Sequence, residues 1–299
     1  MKVSVVGATG QLGRDVVQAF EANGDTVHAL SHDDIEITSI DSIAARLGDL
    51  RPDLIVNTAA MHHVERCEQD PKAAFDVNAL GPRNLGIVAR ELNAILMQIS
   101  TDYVFDGAGR RPYLESDPPR PLNVYGNTKL AAEYFVRSTV DRHFVLRTSG
   151  LYGWHACRGK GGLNFVDLML KLGKERGRVR VVNTETITPT STYELANQMV
   201  VLSRSDNFGL FHATAEGSCT WYDFAREIFS VAGLPVKLEV ADPREFPSKT
   251  SRPAYSVLEN AALKSQRLNY VRPWQEGLRQ YLHAARLGTS VAAATDGDH

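Results

Sequence analysis

The chain has 299 residues, of which 43% are hydrophobic and 23% charged, with a formal net charge of −2. This composition is typical of a globular protein with enough length for a large core and a second lobe. A nucleic-acid-binding protein would carry a basic excess, and no apolar run approaches the roughly 18 residues of a membrane span. The start of the chain lacks a signal-peptide pattern, and the three cysteines are dispersed, so we expect a cytoplasmic protein with reduced thiols.

The first half of the chain alternates short apolar strands with helices. Strands are predicted at residues 3–6, 26–30, 54–56, 95–99 and 144–146, and helices at 12–22, 40–47, 71–92 and 128–138. The Gly81-Pro82 pair predicts a boundary or kink in the long third helix. Such alternation is typical of an α/β fold whose parallel sheet is wound by right-handed crossovers.

After Arg147 the pattern becomes less regular, which predicts a smaller lobe. Helices are predicted at residues 163–172, 192–202, 221–232 and 274–286, and strands at 179–182, 211–213 and 235–240. We therefore predict a dinucleotide-binding domain over 1–150 with a return segment near 190–214. A discontinuous substrate-binding lobe is predicted over 151–189 and 215–287, followed by a disordered tail at 288–299.

Three glycines occupy the turn between the first strand and the first helix. Gly7 permits the tight turn, Gly10 allows the backbone to approach a pyrophosphate, and Gly13 lets the helix pack closely on the sheet. Gln11 and Leu12 complete the start of the helix, where free N–H groups favour phosphate. This fingerprint predicts a Rossmann-type doubly wound sheet that binds a nicotinamide dinucleotide.

The end of the second strand does not decide between NADPH and NADH. A carboxylate at this point usually holds the ribose 2′-hydroxyl of NAD. Here the small, uncharged Ser31 occupies the position, and no arginine follows it to bind a 2′-phosphate. His32 beside a phosphate and Asp33 beside a hydroxyl remain alternatives to an exposed loop.

Residues that follow the second and third strand positions are candidates for the rest of the dinucleotide site. Glu36 and Ile37 offer a polar and an apolar side chain for adenine. The small Ala59 and Ala60, with Met61, would let the dinucleotide lie across the sheet edge. Ordinary packing at strand ends is the alternative for these residues.

Tyr125 and Lys129 form the main catalytic candidate. At spacing i, i+4 they share one face of a helix, so Lys129 is expected to lower the pKa of the Tyr125 phenol and make it a proton donor. Thr101 follows the strand at 95–99, and its hydroxyl should emerge at the same carboxyl edge, where it can donate to a carbonyl oxygen. Together they indicate an enzyme.

Further polar residues are candidates for binding a substrate. Asp102 suits a sugar hydroxyl or the proton relay, with a turn cap as its alternative. Asn164 suits a sugar or diphosphate, and helix capping explains it equally well. Arg252 is a candidate diphosphate partner, as are Arg147 and Lys160. No spacing of Cys, His or carboxylate residues around His62 and His63 indicates a metal site.

The motifs at residues 7–13, 100–107 and 121–129, taken in order, resemble those of the extended short-chain dehydrogenases/reductases. More narrowly, the chain resembles the dTDP-4-dehydrorhamnose reductase family, and residues 147–149, 220–223 and 252–256 extend that likeness into the second lobe. The likeness therefore covers nearly the whole chain except the tail.

This resemblance implies reduction of the 4-keto group of a nucleotide-linked 6-deoxy sugar by a nicotinamide hydride. It assigns catalysis to Thr101, Tyr125 and Lys129, and the sugar contact to Thr101 and Asp102. The cofactor residues that it implies are Gly10, Gln11, Leu12, Glu36, Ile37 and residues 59–61. Members of the family are often homodimers, some with magnesium at the dimer interface, although this chain shows no ligand set for the ion.

Three departures from the family pattern lie on the substrate side. Gly150 replaces the usual tryptophan, residues 185–190 replace a usual Gln-Phe-Gly-x-Pro-Thr stretch, and the loop at 154–162 is long. They leave two alternatives within enzymes, a reductase for another nucleotide sugar or an epimerase that retains its cofactor. A third alternative is a non-catalytic regulatory subunit like the methionine adenosyltransferase β subunit, which the chain resembles more loosely.

Overall fold

The computed structural model describes residues 1–156, 162–245 and 250–286. The predicted tail at 288–299, Cys157, Lys160 and most of the long loop lie outside these residues. Within the described part, no helix has both the length and the apolar character that a bilayer crossing requires.

Half of the twelve strands of the described residues form one large sheet. Their bounds are β1 (Lys2–Val6), β2 (Thr26–Leu30), β3 (Leu54–Asn57), β4 (Ile95–Thr101), β5 (His143–Thr148), β6 (Leu151–Tyr152), β7 (Arg178–Val181), β8 (Thr186–Ile187), β9 (Thr190–Ser191), β10 (Gly209–His212), β11 (Cys219–Thr220) and β12 (Lys237–Val240). Six of them form a parallel sheet in the order β2-β1-β3-β4-β5-β10. The other strands pair two by two outside this sheet.

The helices follow the strands along the chain. Their bounds are α1 (Gln11–Ala22), α2 (Ile40–Leu50), α3 (Val64–Gln69), α4 (Pro71–Phe75), α5 (Gly81–Glu91), α6 (Val124–Thr139), α7 (Phe165–Arg176), α8 (Thr192–Ser203), α9 (Trp221–Ala232), α10 (Ala261–Ser265) and α11 (Trp274–Arg286). A π-helical turn, Asp76–Leu80, joins α4 to α5, and a 3₁₀ turn, Asp102–Val104, follows β4.

Both faces of the large sheet are covered by helices. On one face, α1 and α8 pack through residues such as Phe20 and Met199. On the other, α2, α5 and α6 pack through Leu47, Leu85 and Val136. Because the nonpolar side chains of the strands are buried on both faces, the sheet is doubly wound. This confirms the predicted α/β Rossmann-type fold class.

Two helices differ from their predicted bounds in ways that affect the site. The long helix is interrupted by the π-helical turn before Gly81, and α5 then starts at Gly81 with Pro82 in its first turn, where proline is tolerated. Helix α6 begins at Val124, because the side chain of Asn123 accepts a hydrogen bond of 2.8 Å from the Gly126 N–H. Tyr125 therefore belongs to the first turn of α6.

The later part of the chain builds a third core. Helices α7, α9 and α11 pack with β7 around aromatic side chains that include Tyr152, Phe224 and Trp274. Strand β10 lies beside β5 in the large sheet, with His212 opposite Arg147. The division of the chain into folding units at the boundaries given above stays a prediction.

Candidate active site

The carboxyl edge of the large sheet contains the reversal in strand order at which open α/β sheets bind ligands. Strand β1 lies between β2 and β3, so the crossover after β1 runs to one side of it and the crossover after β2 returns to the other side. The Gly7 turn follows β1, and Ala59 follows β3. The two segments therefore flank the crevice expected at a topological switch point.

The glycine turn fits a dinucleotide pyrophosphate. Gly7 has a φ of +81°, and a Cβ there would lie 2.7 Å from the Ala59 nitrogen. A Cβ on Gly13 would overlap the Gly7 carbonyl oxygen, so α1 packs directly on the turn. Gly10 caps α1 without a side chain that binds the first N–H groups. These N–H groups, with the positive end of the helix dipole, suit an anion.

The loop after β2 contains both a carboxylate and a cation. The Ser31 N–H and hydroxyl donate to the Asp34 carboxylate at 2.8 and 2.6 Å. The Arg46 guanidinium lies 4.0 Å from the other Asp34 oxygen. Arg46 belongs to α2, so sequence proximity to β2 could not reveal it. The loop therefore offers groups for either a ribose hydroxyl or a 2′-phosphate.

Glu36 and Ile37 are largely engaged in local structure. The Glu36 carboxylate accepts from the Thr38 N–H at 2.8 Å and from its hydroxyl at 2.9 Å. Ile37 is buried, and its side chain lies under Gly81, where a Cβ would come within 2.8 Å of it. Turn capping and core packing thus account for these two residues without a ligand.

The segment at residues 59–61 is tied to the catalytic helix through Asn78, which the sequence reasoning missed. The Asn78 amide accepts from the Met61 N–H at 2.8 Å and donates to the Met61 carbonyl at 2.9 Å. It also donates to the Thr128 hydroxyl on α6 at 3.1 Å, and that hydroxyl donates to the Tyr125 carbonyl at 2.7 Å. The partly exposed Ala59 and Ala60 lie in the same segment.

Tyr125, Thr101 and Asp102 meet at the carboxyl end of β4. The Thr101 hydroxyl interacts with the Tyr125 phenol and donates to the Asp102 carboxylate at 3.0 Å. The Tyr103 N–H donates to the same hydroxyl oxygen at 3.2 Å, and the Tyr103 ring packs edge-on against Tyr125 at 5.8 Å. The structure thus brings together the phenol and the hydroxyl that the sequence placed at one edge.

The expected effect of Lys129 on the Tyr125 phenol is wrong for this structure. Burial raises the pKa of Tyr125 well above its usual range, while the Thr101 hydroxyl opposes that change. Burial also lowers the pKa of Lys129 to about 8. Spacing along the helix predicts a shared face but not the desolvation of the phenol, which dominates here. The Tyr125 phenol therefore holds its proton at neutral pH.

Asp102 is buried below the phenol rather than exposed to the crevice. Its carboxylate accepts from the Ser149 hydroxyl at 2.8 Å as well as from Thr101. Burial raises the pKa of Asp102, which the surrounding hydroxyl groups oppose. A protonated Asp102 can donate to Thr101 and so release the Thr101 hydrogen for another acceptor.

Asn164 is 3% exposed and caps α7. Its side-chain oxygen accepts from the Asp167 N–H at 3.0 Å. Its amide nitrogen is within bonding distance of the Gly153 carbonyl, the Asp167 carboxylate and the Tyr281 hydroxyl, at 2.9, 2.7 and 3.1 Å. This arrangement favours the capping alternative over contact with a substrate.

The two described arginines suggested for a diphosphate differ sharply. Arg147 is 2% exposed and forms a bidentate pair with Glu133, so it is not available to a ligand. Arg252 is partly exposed, pairs with Glu65 and interacts electrostatically with Tyr103. Of the two, only Arg252 is accessible to a ligand.

Two of the altered substrate-side positions, Glu185 and Gly150, are described by the structure, and Glu185 interacts electrostatically with Arg252. The Glu185 carboxylate accepts from the Trp221 indole at 3.0 Å. Gly150 has a φ of +57°, and a Cβ there would lie 2.9 Å from the Thr188 carbonyl oxygen. The backbone at this position therefore disfavours the tryptophan that is usual in the resembled family.

Among the described residues, no group of three or more His, Cys, Asp or Glu side chains is arranged to hold a metal ion. His63 lies 3.4 Å from the Glu65 carboxylate and caps α3. Magnesium remains an implication of the family resemblance alone.

The fold and the edge just described define an extended short-chain dehydrogenase/reductase: a glycine turn at the switch point faces a Tyr-x-x-x-Lys helix and a strand-end threonine. A family model, the RmlD substrate binding domain, matches residues 1–287. The chain belongs to this family, the dTDP-4-dehydrorhamnose reductases, as the sequence motifs predicted.

Curated and solved relatives agree with this assignment. The chain is 38% identical to the dTDP-4-keto-6-deoxy-D-glucose reductase of Streptomyces niveus, with 92% of this chain and 94% of that protein covered. A dTDP-4-dehydrorhamnose reductase structure from Clostridium acetobutylicum superposes with a TM-score of 0.91 at 37% identity, covering 96% and 100% of the two chains. That of Bacillus anthracis, solved in complex with NADP, gives 0.89 at 33% identity, covering 94% and 98%.

Proposed function

We propose that this protein reduces the 4-keto group of a nucleotide-linked 6-deoxy sugar with NADPH or NADH. The observation that carries the proposal is the convergence of the Tyr125 phenol and the Thr101 hydroxyl at the sheet edge that also carries the glycine turn. Family membership and the reductases named above support the same reaction class.

Tyr125 acts as the proton donor to the sugar oxygen. Because burial keeps the phenol protonated, it is in the form that a ketone reduction consumes. Thr101 fixes the position of the phenol and of the sugar oxygen, and Asp102 receives or returns the Thr101 hydrogen. Lys129, one turn along α6, supplies the positive charge beside the reacting groups.

A nicotinamide dinucleotide supplies the hydride when it is bound. The residues that would hold it are the Gly7 turn, the first N–H groups of α1 and the segment at residues 59–61. Ser31 and Arg46 would meet the adenosine ribose, with Arg46 favouring a 2′-phosphate and Asp34 favouring a hydroxyl.

The partner is a small molecule, a nucleotide diphosphate sugar. Arg252 would meet its diphosphate by exchanging the Glu65 carboxylate for a phosphate oxygen, since guanidinium groups bind phosphate in a bidentate manner. A homodimer and a cytoplasmic location remain predictions.

The first test compares two tyrosines on α6. Tyr125→Phe should abolish reduction of a 4-keto-6-deoxy sugar nucleotide while leaving dinucleotide affinity nearly unchanged, because only the proton donor is lost. Tyr134→Phe is the matched control, since Tyr134 lies on the same helix but is 55% exposed. Turnover is followed by the absorbance of NADPH or NADH, with both cofactors tried.

Full turnover by the Tyr125→Phe variant would contradict the role of the phenol. An epimerase would convert its substrate without consuming added reductant, so stoichiometric oxidation of NADPH or NADH excludes that alternative.

A further inference from the structure

A buried ion pair lies next to the catalytic helix face. Glu133 and Arg147 are 1% and 2% exposed. The Arg147 Nη2 and Nε atoms lie 2.6 and 2.9 Å from the two Glu133 carboxylate oxygens. Breaking such a pair strands a buried charge, so both side chains are held in place.

Neighbouring strands complete the hydrogen bonds of this pair. The Ser100 hydroxyl of β4 donates to the Glu133 carboxylate at 2.5 Å. On β10, His212 Nδ1 lies 3.1 Å from the carbonyl oxygens of Tyr113 and Glu259, so this nitrogen bears the proton. His212 Nε2 is then free to accept from Arg147 Nη1 at 3.4 Å.

The neutral state of His212 follows from this arrangement. Burial and the adjacent Arg147 lower the pKa of His212 to about 3. Among the members of this cluster, the charged ones are therefore Arg147 of β5 and Glu133 of α6.

Glu133 also faces Lys129. Tyr125, Lys129 and Glu133 recur at every fourth residue of α6 and so share one face. Glu133 raises the pKa of Lys129, against the larger opposing effect of burial. The Glu133 carboxylate that pairs with the Arg147 guanidinium thus also acts electrostatically on the Lys129 ammonium.

Within the part of the chain that the structure describes, few other charged groups act on Lys129. Cys67 of α3 is near it, with a thiol whose pKa burial raises to about 11. The 3₁₀ turn contributes Asp102 and Tyr103 near Tyr125. On α4 and the π-helical turn, Lys72 and Asp76 pair with each other at 2.6 Å. The charged residues of α5 are exposed, namely Arg83, Arg90 and Glu91.

We propose that Glu133 and Arg147 are positioning residues for Lys129: Glu133 keeps the Lys129 ammonium charged and on the catalytic face of α6, and Arg147 limits that effect by competing for the same carboxylate. This inference deepens the proposed function, since it concerns how the reductase controls the charge beside Tyr125. Glu133 and Arg147 touch neither reacting group and act through Lys129.

The test is a titration of Lys129 in the protein without cofactor. Lysine labelled with ¹³C at Cε is followed by NMR from pH 6 to 11, and Lys129 is assigned by the signal lost in Lys129→Arg. Glu133→Gln should lower the titration midpoint by about one pH unit, because a nearby opposite charge is removed. Arg147→Gln should raise it by a similar amount, because Glu133 then interacts with Lys129 alone.

Two further variants keep the test decisive. Ser100→Ala removes one hydrogen-bond donor from Glu133 and should raise the Lys129 midpoint slightly, in the same direction as Arg147→Gln. It therefore replaces Arg147→Gln in the test if that variant fails to fold. The double variant Glu133→Gln/Arg147→Gln should titrate between the two single variants. Circular dichroism and thermal melting establish that each variant is folded.

In the active enzyme, the alkaline limb of kcat should move in the same order as the NMR midpoints. Equal midpoints in all folded variants, or an upward shift in Glu133→Gln, would overturn the proposal. Because the titration needs neither substrate nor cofactor, a failure of the proposed reductase activity would leave its result unaffected.

Discussion

The N-termini of α1 and α7 are both ligand-binding candidates in the sequence, yet the structure treats them differently. Gly10 begins α1 without a side-chain cap, so its N–H groups are left for an anion. Asn164 caps α7, and both its amide oxygen and its amide nitrogen already have hydrogen-bond partners, on Asp167, Gly153 and Tyr281. An uncapped helix N-terminus at a sheet edge thus indicates a ligand-binding role. A capped and buried helix N-terminus instead indicates a role in stabilising the fold.

The largest effect is expected at the uncapped terminus. In Gly7→Ala, an alanine must adopt the left-handed backbone conformation of Gly7. Its Cβ would also lie 2.7 Å from the Ala59 nitrogen. The turn must shift, and we expect dinucleotide affinity to fall by about 100-fold or more. Calorimetric titration with NADPH and NADH measures the loss.

Gly24→Ala is the matched control for that change. Gly24 has the same φ of +81°, but no heavy atom lies within 4 Å of an added Cβ. It follows the far end of α1, so only backbone strain of roughly 1 kcal/mol is expected, with dinucleotide affinity unchanged. Equal losses of affinity in both variants would show that general strain, not the close approach to Ala59, controls binding.

A smaller effect, of a different kind, is expected at the capped terminus. Asn164→Ala removes the cap of α7 and leaves the Gly153 carbonyl without this donor. The free energy of unfolding should fall by about 2–3 kcal/mol, while dinucleotide affinity stays the same. Denaturant unfolding and NADPH binding separate the two quantities.

Asn197→Ala controls for the loss of an asparagine from a helix. Asn197 is exposed and, within residues 1–156, 162–245 and 250–286, donates only to the Tyr193 carbonyl of its own helix, so little stability should be lost. If Asn164→Ala melted normally but raised KM for the sugar, contact with substrate would replace capping as its role.

The smallest effect is expected where the two termini are connected. The Gln11 amide donates to the Gly153 and His155 carbonyls at 3.4 and 3.0 Å, which ties α1 to the loop before α7. Gln11→Ala should cost about 1 kcal/mol and speed amide hydrogen exchange at residues 153–156. Unchanged exchange there would mean that other contacts hold the loop.

The elements themselves follow closely from hydrophobic periodicity. The bounds of β2, α9 and α11 match the predicted ones, because apolar spacing and turn residues are local signals. The glycine turn and the Tyr125–Lys129 pair were found for the same reason, since each depends on spacing within one short segment.

What the sequence could not supply depends on distant neighbours. Asn78 and Arg46 reach the site from helices that no motif marks, and the burial of Tyr125 reverses the expected direction of its pKa. Arg147 looked like a phosphate ligand because its partner, Glu133, lies on another element. Such partners become evident only once the strands and helices are packed.

The π-helical turn at Asp76–Leu80 has a geometric consequence for the whole helical segment. It acts as one extra residue in an otherwise regular spiral, and each residue of an α-helix advances the side-chain direction by about 100°. Deleting one residue there would therefore rotate Asn78 and everything before it relative to Leu85. The two hydrogen bonds between the Asn78 amide and the Met61 backbone would break, even though the apolar side of α5 stayed in the core.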